Sequence, residues 1–125
     1  FLACKSPPLY HSGSVFAVGS YSAVAFNAST GAVLWSQRNT LNNFNGVIAF
    51  DSLNGNIVFM ANGNGFVVSA LDARTGAIRW QHSLNTWAQA GNPESIAVGD
   101  NHVYVPNANG TVAALHASTG ALDWA

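Results

Sequence analysis

Short apolar runs alternate with polar pairs rich in Gly, Asn and Ser along almost the whole chain. The clearest stretch gives strands at residues 95–98, 102–106, 111–116 and 121–125, with turns at Gly99-Asp100-Asn101, Asn107-Ala108-Asn109-Gly110 and Ser118-Thr119-Gly120. Two earlier stretches read the same way, at 46–50, 56–61, 66–71 and 77–81, and at 8–10, 14–18, 22–26 and 32–37. Asn-Gly and Gly-rich pairs between such runs predict antiparallel hairpins, and no 3.6-residue periodicity competes. The run Phe66-Val67-Val68-Ser69-Ala70-Leu71 is apolar on both faces instead of alternating. A strand covered on both sides reads that way.

The stretches are copies of one unit. Residues 25–35, 70–80 and 114–124 align without a gap. They share Ala25/Ala70/Ala114, Ala28/Ala73/Ala117, Thr30/Thr75/Thr119, Gly31/Gly76/Gly120, Ala32/Ala77/Ala121 and Trp35/Trp80/Trp124. Four short strands per ~44 residues is the arithmetic of a β-propeller blade. The expected fold is therefore all-β, with three consecutive four-stranded antiparallel blades spanning about 6–37, 46–81 and 94–125. Three blades do not close a ring, since propellers use about four to eight. Two apolar blade faces would be left bare. The expectation is a partial propeller of a seven- or eight-bladed wheel, completed by further blades or by other protein chains.

The repeated residues resemble the pyrroloquinoline-quinone-type repeat, Ala-x-Asp-x-x-Thr-Gly-x-x-x-Trp, over essentially the whole chain. Asp72 keeps the acidic residue of that pattern, whereas Asn27 and His116 replace it, so a less regular turn is expected in those two blades. An Asp or Asn there accepts backbone N–H groups as an Asx turn, and Gly supplies a positive φ without steric cost. The resemblance implies that Trp35, Trp80 and Trp124 each dock near the Thr-Gly turn of an adjacent blade, at Thr30-Gly31, Thr75-Gly76 or Thr119-Gly120. Tryptophan suits that role through its large apolar face and single N–H donor.

Composition narrows the setting. Hydrophobic residues make up 49% of the 125, and charged residues 7%, against about 25% charged in an average soluble domain. Hydration through neutral groups suits a secreted, cell-surface or periplasmic protein. With a net charge of −1, no basic field attracts nucleic acid or anionic lipid. No apolar run reaches the ~18 residues of a membrane helix. The start at Phe1 reads as a processed or partial chain. Cys4, the single cysteine, has no internal partner and is either a free thiol or half of a bridge to another segment.

Candidate chemistry is sparse. His11, His82, His102 and His116 occur singly, without metal-ligand spacing, and read as solvated strand tips. Asp51-Ser52-Leu53-Asn54-Gly55-Asn56 is oxygen-rich but lacks calcium-loop spacing and reads as a turn. Neither a nucleophilic triad nor a phosphate loop is recognisable, and no cofactor or metal is expected. Loops at 36–45 and 82–94 would present Arg38, Phe44, His82, Trp87, Gln89 and Glu94 on one face, as either a partner-contact surface or, for Trp87, a plug onto its own blade. Sequons occur at Asn109-Gly110-Thr111 and Asn27-Ala28-Ser29. Two functions follow: a non-catalytic interaction or assembly scaffold, or a fragment of a quinoprotein oxidoreductase whose catalytic residues lie elsewhere. The first requires nothing that is absent.

Overall fold

The computed structural model describes residues 8–19, 22–38, 48–63, 65–84, 96–106 and 112–125. Twelve strands form three four-stranded antiparallel sheets, each a simple meander. Blade 1 contains β1 (Leu9–His11), β2 (Ser14–Val18), β3 (Ser22–Asn27) and β4 (Val33–Arg38). Blade 2 contains β5 (Ala49–Asp51), β6 (Asn56–Gly63), β7 (Gly65–Asp72) and β8 (Ile78–Leu84). Blade 3 contains β9 (Ala97–Gly99), β10 (His102–Pro106), β11 (Val112–His116) and β12 (Leu122–Trp124). Among the described residues no helix is long and apolar enough to cross a membrane.

Local chemistry explains the turns. Ser12-Gly13 and Asp100-Asn101 are two-residue hairpin connections with positive φ at both positions, the geometry whose twist matches the flanking strands. Each β3–β4-type turn is closed by three backbone bonds. In blade 2 these are Gly76 N–H to Asp72 O at 2.8 Å, Asp72 N–H to Ala77 O at 2.8 Å and Ala73 N–H to Gly55 O at 3.0 Å. Blades 1 and 3 repeat all three, and φ at Gly31, Gly76 and Gly120 is 75°, 78° and 77°. The turn is therefore as regular around Asn27 and His116 as around Asp72, contrary to the sequence expectation. Its backbone closure and the threonine hydroxyls, which accept from Ala32, Ala77 and Ala121 N–H at 3.2–3.3 Å, do not depend on the residue that varies. The strand after each turn slips its register at one place, between Ala25/Phe26, Ala70/Leu71 and Ala114/Leu115. That bulge sets each tryptophan directly opposite an alanine, leaving the indole room to reach outward.

The third strand of blade 2 is buried at successive positions, Val68-Ser69-Ala70-Leu71, because blade 2 is covered on both faces by its neighbours. Two apolar clusters join the sheets. Phe16, Val18, Ala23 and Ala25 of blade 1 pack on Ile57, Phe59 and Leu71 of blade 2. Val58, Val68, Ala70 and Trp80 on the other face of blade 2 pack on Val103, Val105, Ala113 and Leu115 of blade 3. The first strands β1, β5 and β9 approach one another in series, so they form the inner edge and the tryptophan-bearing strands the outer one.

Candidate functional site

Two of the repeat tryptophans are seated. The Trp35 indole N–H donates to Ala73 O at 2.9 Å, and that of Trp80 to Ala117 O at 2.7 Å. Each acceptor lies in the next blade's turn, beside its glycine. A Cβ added to Gly76 would overlap Cε3 of Trp35 and lie 2.7 Å from Cδ2. One added to Gly120 would overlap Cε3 of Trp80 and lie 2.6 Å from its Cδ2. Bare backbone is therefore what lets the indole face lie flat on the turn.

Both ends of this series are open. Trp124 is 50% exposed, its ring 6.1 Å from that of Tyr104. Tyr104, Val112 and Trp124 hold the frame positions that Val58, Val68 and Trp80 occupy in blade 2, where they are buried against blade 3. At the opposite end, nothing among the described residues lies within 4 Å of a Cβ built on Gly31.

A polar cluster sits at the turn end of the open blade 3 face. In blade 2 the same frame positions carry Asn56, Asp72 and Arg79; Asp72 and Arg79 form a 2.6 Å ion pair. Burial by itself would raise the Asp72 pKa. The Arg74 backbone N–H at 2.8 Å and the Arg79 guanidinium outweigh it and hold the carboxyl below its ordinary value. Blade 3 carries His102, His116 and Asp123 instead. His102 lies opposite His116 in the β10–β11 register, and their ring centroids are 5.0 Å apart. Asp123 reaches both, with Oδ2 3.0 Å from His102 Nε2 and Oδ1 3.6 Å from His116 Nε2. The Asp100 carbonyl, 2.8 Å from His102 Nδ1, can only accept, so Nδ1 carries the proton. That hydrogen bond first, and the Asp123 carboxylate second, raise the His102 pKa above its ordinary value.

Sequence spacing gives no reason to join these three residues, and the expectation of two isolated, solvated histidines is corrected by the strand register that pairs them. The signal that could have found them is the repeat frame itself: three positions depart together in one copy. Asp51 caps its turn, with Oδ1 accepting from Leu53 and Asn54 N–H at 3.1 and 3.3 Å. His11 stacks on Phe50 across the blade 1–blade 2 junction, with ring centroids 3.7 Å apart. Arg38 and His82, expected on loops, are in strands, paired with Ser22 and Val68. The outer strands continue because β3 and β7 still offer unfilled ladder positions there. Cys4, Lys5, Phe44, Trp87, Gln89, Glu94 and Asn109 lie outside the described residues.

The family model described as outer membrane protein assembly factor BamB matches residues 63–125. No curated protein matches the chain. Among solved structures, BamB from Moraxella catarrhalis superposes with a TM-score of 0.78 at 21% identity, covering 95% of this chain and 34% of that one. The computationally designed Ika8 protein gives 0.73 at 19% identity, covering 92% and 34%. A europium-containing methanol dehydrogenase gives 0.75 at 20% identity, covering 97% and 24%. The chain thus spans about a third of the length of the first two and a quarter of the third. At these identities the likeness is one of fold, the β-propeller.

Proposed function

The chain belongs to the pyrroloquinoline-quinone-type repeat family whose model is described as outer membrane protein assembly factor BamB, and we propose that it is a non-catalytic scaffold segment, extracytoplasmic, that binds further blades or other protein chains through its open blade faces. The observation that supports this is the contrast among equivalent tryptophans. Trp35 and Trp80 each cover a neighbour's turn, while Trp124 and Val112, beside the half-buried Tyr104, present the same docking surface exposed. An exposed tryptophan within an apolar patch marks a contact surface on a soluble protein. In this reading Thr30-Gly31 is the receiving turn at the other end, and Thr75-Gly76 and Thr119-Gly120 are its occupied counterparts.

A direct test is to append residues 39–84 a second time after Ala125, so that a blade with a known receiving turn follows Trp124. The expected result is a higher melting temperature and reduced acrylamide quenching of tryptophan fluorescence, both reversed by Trp124→Ala. Unchanged quenching and melting would remove the docking role from that face. The fold shared with a methanol dehydrogenase favours the second reading, a fragment of a quinoprotein oxidoreductase. Alcohol oxidation by the segment supplied with quinone and calcium separates the two readings. In a glycosylating secretory setting Asn109 is the expected acceptor, because the Asn27 Oδ1 is engaged by Ser29 and Thr30 N–H at 2.8 and 3.2 Å; intact mass of natively sourced protein reads this out.

A further inference from the structure

We propose that His102, His116 and Asp123 of blade 3 form a binding site for a divalent transition-metal ion of the zinc class. In the neutral form of His102 the Asp100 carbonyl holds the proton on Nδ1, so the Nε2 lone pair faces Asp123 Oδ2 at 3.0 Å. In the neutral imidazole these are two acceptors facing each other, an arrangement that wants a cation between them. His116 Nε2 is on the other oxygen of the same carboxylate at 3.6 Å. All three ligand atoms lie within 4.8 Å of one another.

Those separations suit a metal. Ligand atoms bonded at about 2.0–2.1 Å in tetrahedral geometry stand roughly 3.3–3.4 Å apart. The two histidine–carboxylate separations, 3.0 and 3.6 Å, lie either side of that value, and the widest separation, within 4.8 Å, closes by rotation of partly exposed side chains. Two imidazoles and one carboxylate are a borderline donor set that favours zinc-class ions over magnesium or calcium. Three protein ligands leave a fourth position for water, the pattern of an open site. The His102 Nδ1–H to carbonyl bond is the orienting contact that metal-bound histidines usually carry. Side-chain exposures of 22%, 41% and 40% for His102, His116 and Asp123 give an ion access from solvent.

The repeat supplies an internal control. Blade 2 solves the same corner with Asp72 and Arg79, a pair complete in itself. Blade 1 has Ser14, Asn27 and Leu34 there, which lack a charge. In blade 3 the acid has moved to the outer strand and both facing positions have become histidine. A single His would have sufficed for an ion pair; the second adds a ligand.

The experiment is calorimetric titration of the whole segment with Zn2+ at mildly alkaline pH, which favours metal over proton at the ligands, with Co2+ followed by its visible absorption. Wild type should bind one ion per chain, reversibly with EDTA. His102→Asn and His116→Asn, which install the residues found in the other repeats, should each weaken binding by more than the ~10–100-fold that loss of a mere orienting partner costs. His11→Gln, at the other blade junction, should bind as wild type. Far-UV circular dichroism in EDTA checks that each variant folds. Should a variant fail there, zinc-induced shifts of the His102 and His116 ring resonances in wild type answer the same question. Absence of binding by wild type, or binding by the two asparagine variants equal to wild type, would overturn the site.

Discussion

Gly31, Gly76 and Gly120 share one backbone conformation but differ in what lies over them, which separates two costs that usually come together. An alanine at any of the three must adopt positive φ, a strain of about 1–2 kcal/mol. At Gly76 its Cβ must also displace the Trp35 indole, which is backed by the blade 1–blade 2 cluster, and overpacking of that kind adds about 1–3 kcal/mol. Gly76→Ala should therefore destabilise more than Gly31→Ala in urea unfolding; equal losses would mean that the indole gives way freely. The tryptophans make the reciprocal case. Trp80 is buried and hydrogen-bonded, so Trp80→Ala should cost about 3–5 kcal/mol. Trp35 is also seated against a neighbour and should cost more than Trp124, whose ring is half exposed. A Trp124→Ala loss as large as that of Trp80→Ala would show that the indole is stabilised by contacts within its own blade.

Within one blade, the corner where the second, third and fourth strands meet is held differently in each copy, and pH reads the difference. The folded Asp72 pKa is depressed. Its contribution to stability is thus complete above the unfolded value of about 3.9 and lost as pH falls through the lower folded value. Asp72→Asn should flatten that acid limb in melting experiments between pH 5 and pH 2; an unchanged limb would place the titration elsewhere. Legibility in the sequence divides along the same line. The twelve strands are readable because each is a short apolar run fenced by turn residues. The blade unit is readable because Thr-Gly and Trp recur in frame. The extension of β4 to Arg38 and β8 to Leu84 is not, since ladder pairing beyond Gln37 and Gln81 depends on the neighbouring strand rather than on local pattern. The His102–His116–Asp123 cluster is hidden for a related reason. Its members come from three strands, and only the β10–β11 and β11–β12 registers bring them to one corner.

At the scale of the whole molecule, the question that separates scaffold from oxidoreductase is whether the segment can hold pyrroloquinoline quinone, a tricarboxylate, by itself. Such a ligand needs cationic and hydrogen-bonding groups converging in an enclosed cavity. The chain has four basic residues, Lys5, Arg38, Arg74 and Arg79. Arg79 is committed to Asp72 at 2.6 Å. Arg74 lies in the turn after β7 and Arg38 at the far end of β4, at opposite ends of strands that are six to eight residues long, about 17–24 Å. Two cations so placed cannot share one small ligand. The clefts at the turn end do not substitute. One, of about 460 Å³, is lined by Phe50, Asp51, Leu53, Asp100 and Asn101 among others, and its carboxylates repel an anion. A second, of about 400 Å³ between His11, Phe16, Leu34 and Arg74, offers a single arginine. Both are open to water, where an ion pair contributes about 1 kcal/mol or less. Titration of the segment with the quinone, with and without calcium, should therefore show no saturation. Micromolar saturable binding, or dye-linked alcohol oxidation by the loaded segment, would put the oxidoreductase reading first, because affinity of that size requires a convergent site that the strand geometry of the described residues does not provide.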